Sequence, residues 1–351
     1  MTKIRRMDWL VSSSDNLKSK IKNPKWAGLV AFVLALTLCG AVAEAQQPGK
    51  IYRIGFLDGG TAAGMAVLVK VFLDELSKLG WIEGKNFTIE YRFGEGKLGR
   101  GPELAADLVR HNVDLIVVSG TGPATAAKNA TTTIPIVMVA VGDAVTEGLV
   151  ASLARPGGNV TGFSSLAPGL NTKRLEILKD AVPKLLRVGL LRLGVGAIAE
   201  DLQLKELRPA ALHLKLKLEE IETQVDAKGL ESAFQTAKQK QVQAIMTTAT
   251  RSFFSERKRI VELATKYRLP AIYSWKETVD EGGLMFYGTD STEGYRLVAV
   301  YVDKILKGAN PAELPVQQAM RIEFIINLKA AKQIGHTIPY ELLWRANKVI
   351  Q

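Results

Sequence analysis

Short apolar strands, each followed by an amphipathic helix, recur along most of this chain and limit its fold more than any other feature. Residues 51–57 form the first such strand, and Met65, Leu68 and Phe72 follow at helical spacing. Strands without polar alternation are typical of a parallel sheet that is covered by helices on both faces. The pattern therefore predicts an α/β protein.

The alternation comes in two consecutive sets of about 100 residues, which is the size of one domain. A chain of 351 residues also exceeds what a single core usually serves. We therefore expect two doubly wound lobes. The predicted strands cover residues 51–57, 86–91, 114–118, 134–141, 160–163, 187–191, 216–221, 244–248, 270–273 and 283–287. A long helix around 295–306 and a final helix from Leu328 are also predicted.

Residues 1–45 differ from this pattern and predict a secretory signal peptide. A basic segment reaches Lys25, an uncharged apolar run extends from Trp26 to Ala43, and Ala43-Glu44-Ala45 is a small-x-small cleavage site. The apolar run is also long enough for an uncleaved membrane anchor, which is the alternative. Because the leader is long, Met7 is an alternative start. We expect cleavage and a periplasmic protein.

Cys39, the only cysteine, lies within this leader. Leu36-Thr37-Leu38-Cys39 resembles a lipoprotein cleavage box, but Leu38 stands where a small residue is required. We therefore favour a free protein over a lipid-anchored one. A mature chain cut at Ala45 would contain no disulfide.

The formal charge of +11 does not indicate nucleic-acid binding. The basic residues are interleaved with acidic ones, and no basic run with aromatic residues occurs. We expect membrane contact only through a protein partner, or through a lipid anchor if one exists.

Catalytic and metal-binding signatures are missing. His111, His213 and His336 are isolated from other metal-ligand residues, and no nucleophile elbow or P-loop occurs. The turn Gly59-Gly60-Thr61-Ala62-Ala63-Gly64 does not match a dinucleotide-binding loop. The sequence therefore predicts a protein that is not an enzyme and has no metal and no cofactor.

The turn Ser119-Gly120-Thr121-Gly122 is a candidate anion site because it joins a buried strand to a helix N-terminus. Two hydroxyls and two glycines would let a carboxylate approach the backbone. A simple helix cap is the alternative. Asp143, after another strand, is a candidate partner for an ammonium group, with a turn-forming role as the alternative.

Further candidates lie at the remaining strand ends, where ligands of open α/β sheets bind. Two lobes would bring these ends together across a cleft. The candidates are Asp58, Gly59, Gly60, Ser164, Ser165, Arg192, Thr248, Thr250, Tyr273, Trp275 and Tyr287. The aromatic rings of Tyr273 and Trp275 would stack on a ligand or, alternatively, pack in the core.

Nearly the whole mature chain resembles the tryptophan/tyrosine type of ABC transporter substrate-binding proteins. The resemblance is carried by ordered stretches that include Leu79-Gly80-Trp81-Ile82-Glu83-Gly84-Lys85-Asn86, Gly148-Leu149-Val150-Ala151-Ser152-Leu153-Ala154-Arg155-Pro156-Gly157-Gly158-Asn159-Val160-Thr161-Gly162 and Tyr301-Val302-Asp303-Lys304-Ile305-Leu306-Lys307-Gly308.

The resemblance implies a type I periplasmic-binding fold, in which two parallel-sheet lobes are joined by a three-strand hinge. On this basis lobe 1 would comprise residues 50–164 and 285–310, and lobe 2 would comprise residues 165–284 and 311–351. The strand at 283–287 would return to the first lobe, and the chain after Pro311 would rejoin the second. A membrane permease and its ATPase are the implied partners, and we expect the protein itself to be a monomer.

Three positions depart from the family pattern at the presumed cleft. Arg192-Leu193 stands where relatives carry Asn-Pro, Thr248-Ala249 replaces Asp-Pro, and Ala144 replaces a proline. The aromatic amino-acid ligand of the family therefore does not transfer directly. Arg192 would favour an acidic ligand group through a bidentate contact, or it would lie on the surface.

The sequence therefore predicts a solute receptor of an ABC importer that captures a small, carboxylate-bearing, amino-acid-like solute. One alternative is a sensor of the same fold that feeds a signalling partner. An enzyme is the other alternative, but no nucleophile, base and orienting residue occur as a set.

Overall fold

The computed structural model describes residues 50–97, 99–165, 170–194, 198–319 and 321–351. The predicted signal peptide, Cys39 and the cleavage site lie outside these residues. Ile51–Gln351 forms one compact unit. Within the described ranges, no helix has both the length and the apolar character that a membrane crossing requires.

The strands alternate with the helices along the chain, as the sequence predicts. The strands are Tyr52–Asp58 (β1), Phe87–Phe93 (β2), Leu115–Ser119 (β3), Ile136–Val141 (β4), Val160–Ser164 (β5), Arg187–Arg192 (β6), Lys217–Glu222 (β7), Ala244–Thr247 (β8), Ala271–Tyr273 (β9), Met285–Thr289 (β10), Gln317–Gln318 (β11), Ile322–Asn327 (β12) and Lys348–Ile350 (β13).

The helices fill the intervals between these strands. They are Ala62–Lys78 (α1), Gly101–Arg110 (α2), Thr121–Ala130 (α3), Leu170–Ala181 (α4), Ile198–His213 (α5), Ala227–Gln239 (α6), Arg251–Ser255 (α7), Arg257–Lys266 (α8), Glu277–Asp280 (α9), Ser291–Leu306 (α10), Leu328–Ile334 (α11) and Tyr340–Arg345 (α12). A 3₁₀ turn occupies Pro311–Glu313.

The strands form two sheets. The first sheet has the order β11-β5-β4-β3-β1-β2, and its strands pair in parallel. The second sheet has the order β13-β12-β10-β9-β8-β6-β7 and is parallel except for the β10–β12 pair. This arrangement confirms the prediction of two doubly wound parallel sheets.

Helices cover both faces of the first sheet because successive side chains of each strand point to opposite faces. Phe56 of β1 shares a core with Phe72 of α1 and Val298 of α10. Leu57, its neighbour in sequence, shares the opposite core with Leu108 of α2. The uninterrupted apolar strands of the sequence thus reflect burial on both sides.

One topological expectation was wrong. Strand β10 does not return to the first sheet, because it pairs with β9 and β12 in the second. Only the short helix α9 separates β10 from β9, so β10 extends the second βα series in sequence order. The return is made instead by α10, whose Trp81–Asp303 hydrogen bond of 2.9 Å joins it to the first lobe.

The end of the chain differs from the expectation in a similar way. After Pro311, strand β11 first pairs with β5 of the first sheet, and only β12 enters the second sheet. The chain therefore passes between the sheets three times, after β5, after β10 and after β11. The number of crossings agrees with the type I arrangement.

Candidate functional site

The carboxyl ends of β1 and β3 lie side by side at one edge of the first sheet. Asp58 and Ser119 are the last residues of these strands and are opposite each other in the parallel register. Arg251 opens helix α7, four residues after β8 of the second sheet ends. Residues from both sheets therefore converge at this point.

The two halves touch directly beside this point. The Thr61 N–H donates a hydrogen bond of 3.0 Å to Ser255 Oγ. The Arg257 Nη1 donates one of 2.8 Å to the Gly64 carbonyl oxygen. A Cβ atom on Gly64 would lie 2.4 Å from Ser255 Cα, so glycine is required for this approach of α1 to α7.

Asp58 is a buried carboxyl with one oxygen occupied. It is 1% exposed, and its Oδ1 accepts a 2.6 Å hydrogen bond from the Gly60 N–H. Within the described part of the chain, its Oδ2 has no hydrogen-bond partner. Burial raises the pKa of Asp58, while the Arg251 charge, the Ser119 hydroxyl and the Gly60 N–H oppose that rise.

Two hydroxyls lie beside Asp58. Ser119 Oγ and Tyr295 Oη are 2.7 Å apart in a hydrogen bond, and neither residue is exposed. Tyr295 comes from α10, which packs on the first sheet after the second crossing of the chain. Burial raises the pKa of the Tyr295 phenol, so it remains a neutral hydrogen-bonding group.

Arg251 supplies a buried positive charge. It is 7% exposed, and its guanidinium carbon lies 5.4 Å from the centre of the Phe254 ring. A Cβ on Gly120 would be 3.2 Å from Arg251 Cγ, and Gly120 has a φ of +95°, which favours glycine. Arg251 Nη1 is buried and has no hydrogen-bond partner among the described residues.

Glu277 is a second buried carboxyl, contributed by α9 of the second half. It is 7% exposed, and neither of its carboxyl oxygens has a hydrogen-bond partner in the ranges that the structure describes. Burial raises its pKa, and Asp290 adds to the rise. The backbone N–H of Glu277, Arg251 and Arg257 act in the opposite direction.

Five side chains thus form a buried polar cluster, which we call the Asp58 cluster: Asp58, Ser119, Arg251, Glu277 and Tyr295. Buried polar atoms are normally hydrogen-bonded, and buried charges are normally paired. The open guanidinium nitrogen is suited to a carboxylate, and the open carboxyl oxygens are suited to ammonium groups. The chemistry of these open atoms therefore suits a small ligand that carries both kinds of group.

Several predicted residues lie at or beside this cluster. Asp58 and Ser119 belong to it, while Gly59, Gly60 and Gly120 form the two turns against which Arg251 packs. Trp275 packs edge-on against Phe254, with the ring centres 5.5 Å apart.

Sequence reasoning missed Arg251, Glu277 and Tyr295. Arg251 follows the candidate Thr250 directly, and Glu277 lies two residues after the candidate Trp275. Both would be included if the candidates were extended to the fourth residue after each strand end. Tyr295 carries no local signal, because it lies inside an amphipathic helix and only the topology brings it to Ser119.

Asp143 and the second half of the Ser119–Gly122 turn serve local structure. Asp143 accepts hydrogen bonds from the Val145 and Thr146 N–H groups and from the Thr146 hydroxyl, which together lower its pKa. Thr121 Oγ1 accepts a 3.4 Å hydrogen bond from the Gly142 N–H, and Gly122 is exposed. These contacts favour the turn-forming alternative for Asp143.

Ser164 and Ser165 join neighbouring strands. The Ser164 hydroxyl donates to the Gly142 carbonyl oxygen, and the Ser165 hydroxyl donates to the Val141 carbonyl oxygen at 2.8 Å. Both hydroxyls are thus used at the end of β4.

The positive charge of Arg192 is balanced within the second half. Three carboxyls surround it, at 3.9 Å for Glu200, 3.9 Å for Asp201 and 3.5 Å for Glu220. The Thr248 hydroxyl donates to Glu200, and Thr250 caps α7 by accepting from the Phe253 N–H. This network favours a structural role for Arg192.

Tyr273 and Tyr287 pack against their own half. Tyr273 is 4% exposed, and its ring leaves no room for a side chain at Gly283. The Tyr287 ring meets Phe324 edge-on at 6.2 Å, and its carbonyl oxygen accepts a 2.7 Å hydrogen bond from Arg174 Nε. Core packing, the alternative for Tyr273, is therefore favoured.

No metal centre is built into the described residues. None of their His, Cys, Asp and Glu side chains come together in a group of three or more that could hold an ion.

Comparisons with known proteins point to one family. The family model described as ABC transporter substrate binding protein matches residues 61–350. A Clostridioides difficile protein named tyrosine-binding protein is 27% identical over 266 residues, which cover 76% of this chain and 75% of that protein.

Two solved structures extend the comparison to the fold. A conserved domain protein from Vibrio cholerae is 30% identical, with a TM-score of 0.75 over 86% of this chain and 100% of that one. An ABC domain from Streptococcus pneumoniae in complex with L-Trp is 25% identical, with a TM-score of 0.72 and the same coverage of each chain.

Proposed function

Because this chain belongs to the ABC transporter substrate-binding protein family, we propose that it is the solute receptor of an importer. It captures a small carboxylate-bearing, amino-acid-like solute at the Asp58 cluster, between its two sheets. It then delivers the solute to a membrane permease that an ATPase drives. One related protein is named for binding tyrosine and another was solved in complex with L-Trp, which supports a binding role.

The open nitrogen of Arg251 carries this proposal. A guanidinium that is 7% exposed, with Nη1 unpartnered among the described residues, is costly to bury unless an anion completes its hydrogen bonds. A ligand carboxylate would supply that anion, and the buried setting strengthens such a contact.

The surrounding groups support an amino-acid-like solute. Asp58 Oδ2 provides an acceptor for an ammonium group, while the Ser119 and Tyr295 hydroxyls lie beside it. Residues of both halves contribute, so binding would favour the arrangement in which the halves touch. This coupling of binding to closure is what a delivery protein requires.

The predicted signal peptide would direct the mature protein to the periplasm, where a receptor of this kind would meet its permease. Export is therefore part of the proposal. Detection of the mature protein, starting at Gln46, in the periplasmic fraction would test it.

Thermal unfolding of the purified protein, expressed from the full-length gene, tests the ligand class. The screen contains amino acids, aromatic acids, dicarboxylates, peptides and sugars. A solute at 100 times its dissociation constant stabilises the folded state by about 2.7 kcal/mol, which raises the Tm by several degrees. We expect saturable shifts only from carboxylates, and recovery of each solute unchanged by mass spectrometry.

Substitution of Arg251 then tests the site. Arg251→Gln is expected to weaken binding at least about tenfold because it removes a charge-assisted contact. Arg251→Lys keeps the charge and should retain part of the affinity, and Arg345→Gln, which alters a surface ion pair, is the control. A solute without a carboxylate that binds as tightly, or full affinity in Arg251→Gln, would contradict the proposal.

A further inference from the structure

The Asp58 cluster contains more buried negative charge than positive charge. Resting on the proposed function, we infer that Glu277 sets the charge of the ligand, so that the site selects a monocarboxylic acid with two cationic groups. The chemical class is a diamino monocarboxylate, in contrast to a neutral aromatic amino acid.

The ionised groups of the cluster do not balance in charge. Asp58 and Glu277 are 1% and 7% exposed, and Arg251, at 7%, is a buried cation whose charge lowers the pKa of both carboxyls. When all three are ionised, the cluster has a net charge of −1. A monocarboxylic acid with one ammonium group adds no net charge, whereas one with two ammonium groups brings the total to zero.

The nearby cations Arg257 and Lys276 already have carboxylate partners. Arg257 pairs with Glu281 at 3.4 Å. Lys276 lies 3.4 Å from Asp290 and 3.1 Å from Glu323. Arg257 also lowers the pKa of Glu277. Each of these cations is already offset by at least one carboxylate of its own, so the excess negative charge of the cluster remains.

The two carboxyls come from different halves of the protein. Asp58 ends β1 of the first sheet, whereas Glu277 lies on α9 of the second half. Arg251 is close enough to both to lower their pKa values. A ligand whose carboxylate rests on Arg251 would thus meet one anionic group from each half.

The two carboxyls differ in how far their hydrogen-bonding capacity is satisfied. Asp58 Oδ1 already accepts the Gly60 N–H at 2.6 Å, so half of this carboxyl is satisfied. Both oxygens of Glu277 lack a hydrogen-bond partner in the described part of the protein. An unpaired buried carboxylate is costly, so the ligand group that reaches Glu277 contributes strongly to discrimination. Burial raises the pKa of both carboxyls because desolvation disfavours their charged forms, and a ligand ammonium group would act against that rise.

Titration calorimetry of the purified protein with matched amino acids tests the inference. L-Lysine, L-ornithine and 2,4-diaminobutyrate provide two ammonium groups at different spacings. L-Norleucine matches the length of lysine without its second amine, and L-tyrosine and L-tryptophan represent neutral aromatic ligands. We expect one diamino acid to bind at least about tenfold more tightly than L-norleucine, as for one buried charge-assisted contact.

Variants of Glu277 locate the preference. Glu277→Gln should reduce the ratio between the affinities for the diamino acid and for L-norleucine from at least about tenfold to less than about threefold. Glu277→Asp keeps the charge and should retain a preference for a diamino acid. Glu341→Gln, on an exposed surface, should change nothing. Circular dichroism and the Tm check that each variant is folded.

Several outcomes would overturn the inference. If L-norleucine or an aromatic amino acid binds as tightly as every diamino acid, the inference fails but the proposed function stands. Uptake of one proton with a neutral amino acid, measured in two buffers of different ionisation enthalpy, would also overturn it. A preference unchanged in Glu277→Gln would remove Glu277 from this role. If no carboxylate binds at all, the proposed function itself fails.

Discussion

Ser119 and Thr121 belong to one short turn, yet their hydroxyls face different surroundings. Ser119 Oγ bonds Tyr295 inside the Asp58 cluster, whereas Thr121 Oγ1 accepts from the Gly142 N–H outside it. The sequence gives both residues the same standing as anion-site candidates. Only the three-dimensional arrangement distinguishes them.

This difference leads to a paired prediction. Ser119→Ala should weaken binding of the solute by about fivefold to thirtyfold, because one buried hydrogen-bonding group is lost. Thr121→Ala should leave the affinity within about twofold, as for a contact outside the site. Titration calorimetry measures both. Equal losses in the two variants would indicate that the whole turn binds the ligand.

Glu147 is a half-buried carboxyl near Thr121 whose titration affects stability. Burial raises its pKa to about 7, the Thr121 hydroxyl lowers it and Asp143 raises it. Between its ordinary pKa and about 7, the folded protein holds a proton that the unfolded chain has lost. Stability therefore falls as the pH rises through this window.

Removal of this carboxyl should reverse the effect. The difference in unfolding free energy between Glu147→Gln and wild type should increase by about 1–2 kcal/mol in favour of the variant from pH 4.5 to pH 8. This is less than the full pKa shift would give, because the carboxyl is partly accessible to solvent. Urea unfolding at both pH values gives the difference. A stability difference that is the same at both values would contradict the role of Glu147.

At the scale of elements, the contact of α1 with α7 depends on glycine. Gly60 and Gly64 leave the space in which Ser255 lies, and Arg257 reaches the Gly64 carbonyl oxygen across the same contact. Two helices from different halves can approach in this way only where no side chain separates them.

Gly64→Ala should therefore hold the halves apart. Its Cβ would lie 2.4 Å from Ser255 Cα, so we expect weaker solute binding and a radius of gyration that no longer decreases when solute is added. Small-angle X-ray scattering with and without solute measures this. Gly158→Ala, at a position with no atom nearby, is the matched control. Normal closure in Gly64→Ala would refute the role of this contact.

The alternation of strands and helices was predictable because burial on both faces leaves a direct pattern in the sequence. The sheet to which β10 and β11 belong was not. β10 is apolar like the strands of either sheet, and β11 is a pair of glutamines with no apolar signal. Strand partners depend on contacts distant in sequence, which local patterns do not encode.

The candidate site was predictable to a similar extent. The rule that ligands bind at the carboxyl ends of strands pointed to Asp58, Ser119 and the adjacent glycine turns. It also pointed to Asp143 and Ser164, whose polar groups are hydrogen-bonded in their own half, and to Arg192, whose charge is paired there with carboxyls. The end of a strand predicts where a side chain lies, but not whether another residue already pairs with its charge or its hydrogen-bonding groups.

At the scale of the whole molecule, one core is shared by the two sheets. Buried residues of β1 and α1, such as Phe56 and Phe72, belong to the same continuous cluster as Phe253, Phe254 and Trp275 of the second half. Separate cores would let the halves unfold independently. A shared core couples them.

We therefore expect one cooperative unfolding transition. Differential scanning calorimetry should show a single peak with a calorimetric enthalpy equal to the van't Hoff enthalpy. The solute should shift this peak as a whole. Two resolved transitions, with only one shifted by solute, would show that the halves are energetically independent.

The return of the chain to the first sheet has a consequence for biosynthesis. Helix α10 covers one face of that sheet and β11 forms its edge, yet both are encoded after most of the second half. The ribosome must therefore release about nine-tenths of the polypeptide before the earliest-made strands acquire their final neighbours. Until then, the nascent first half keeps exposed the apolar surface that α10 covers in the folded protein, and we expect that surface to be bound by chaperones.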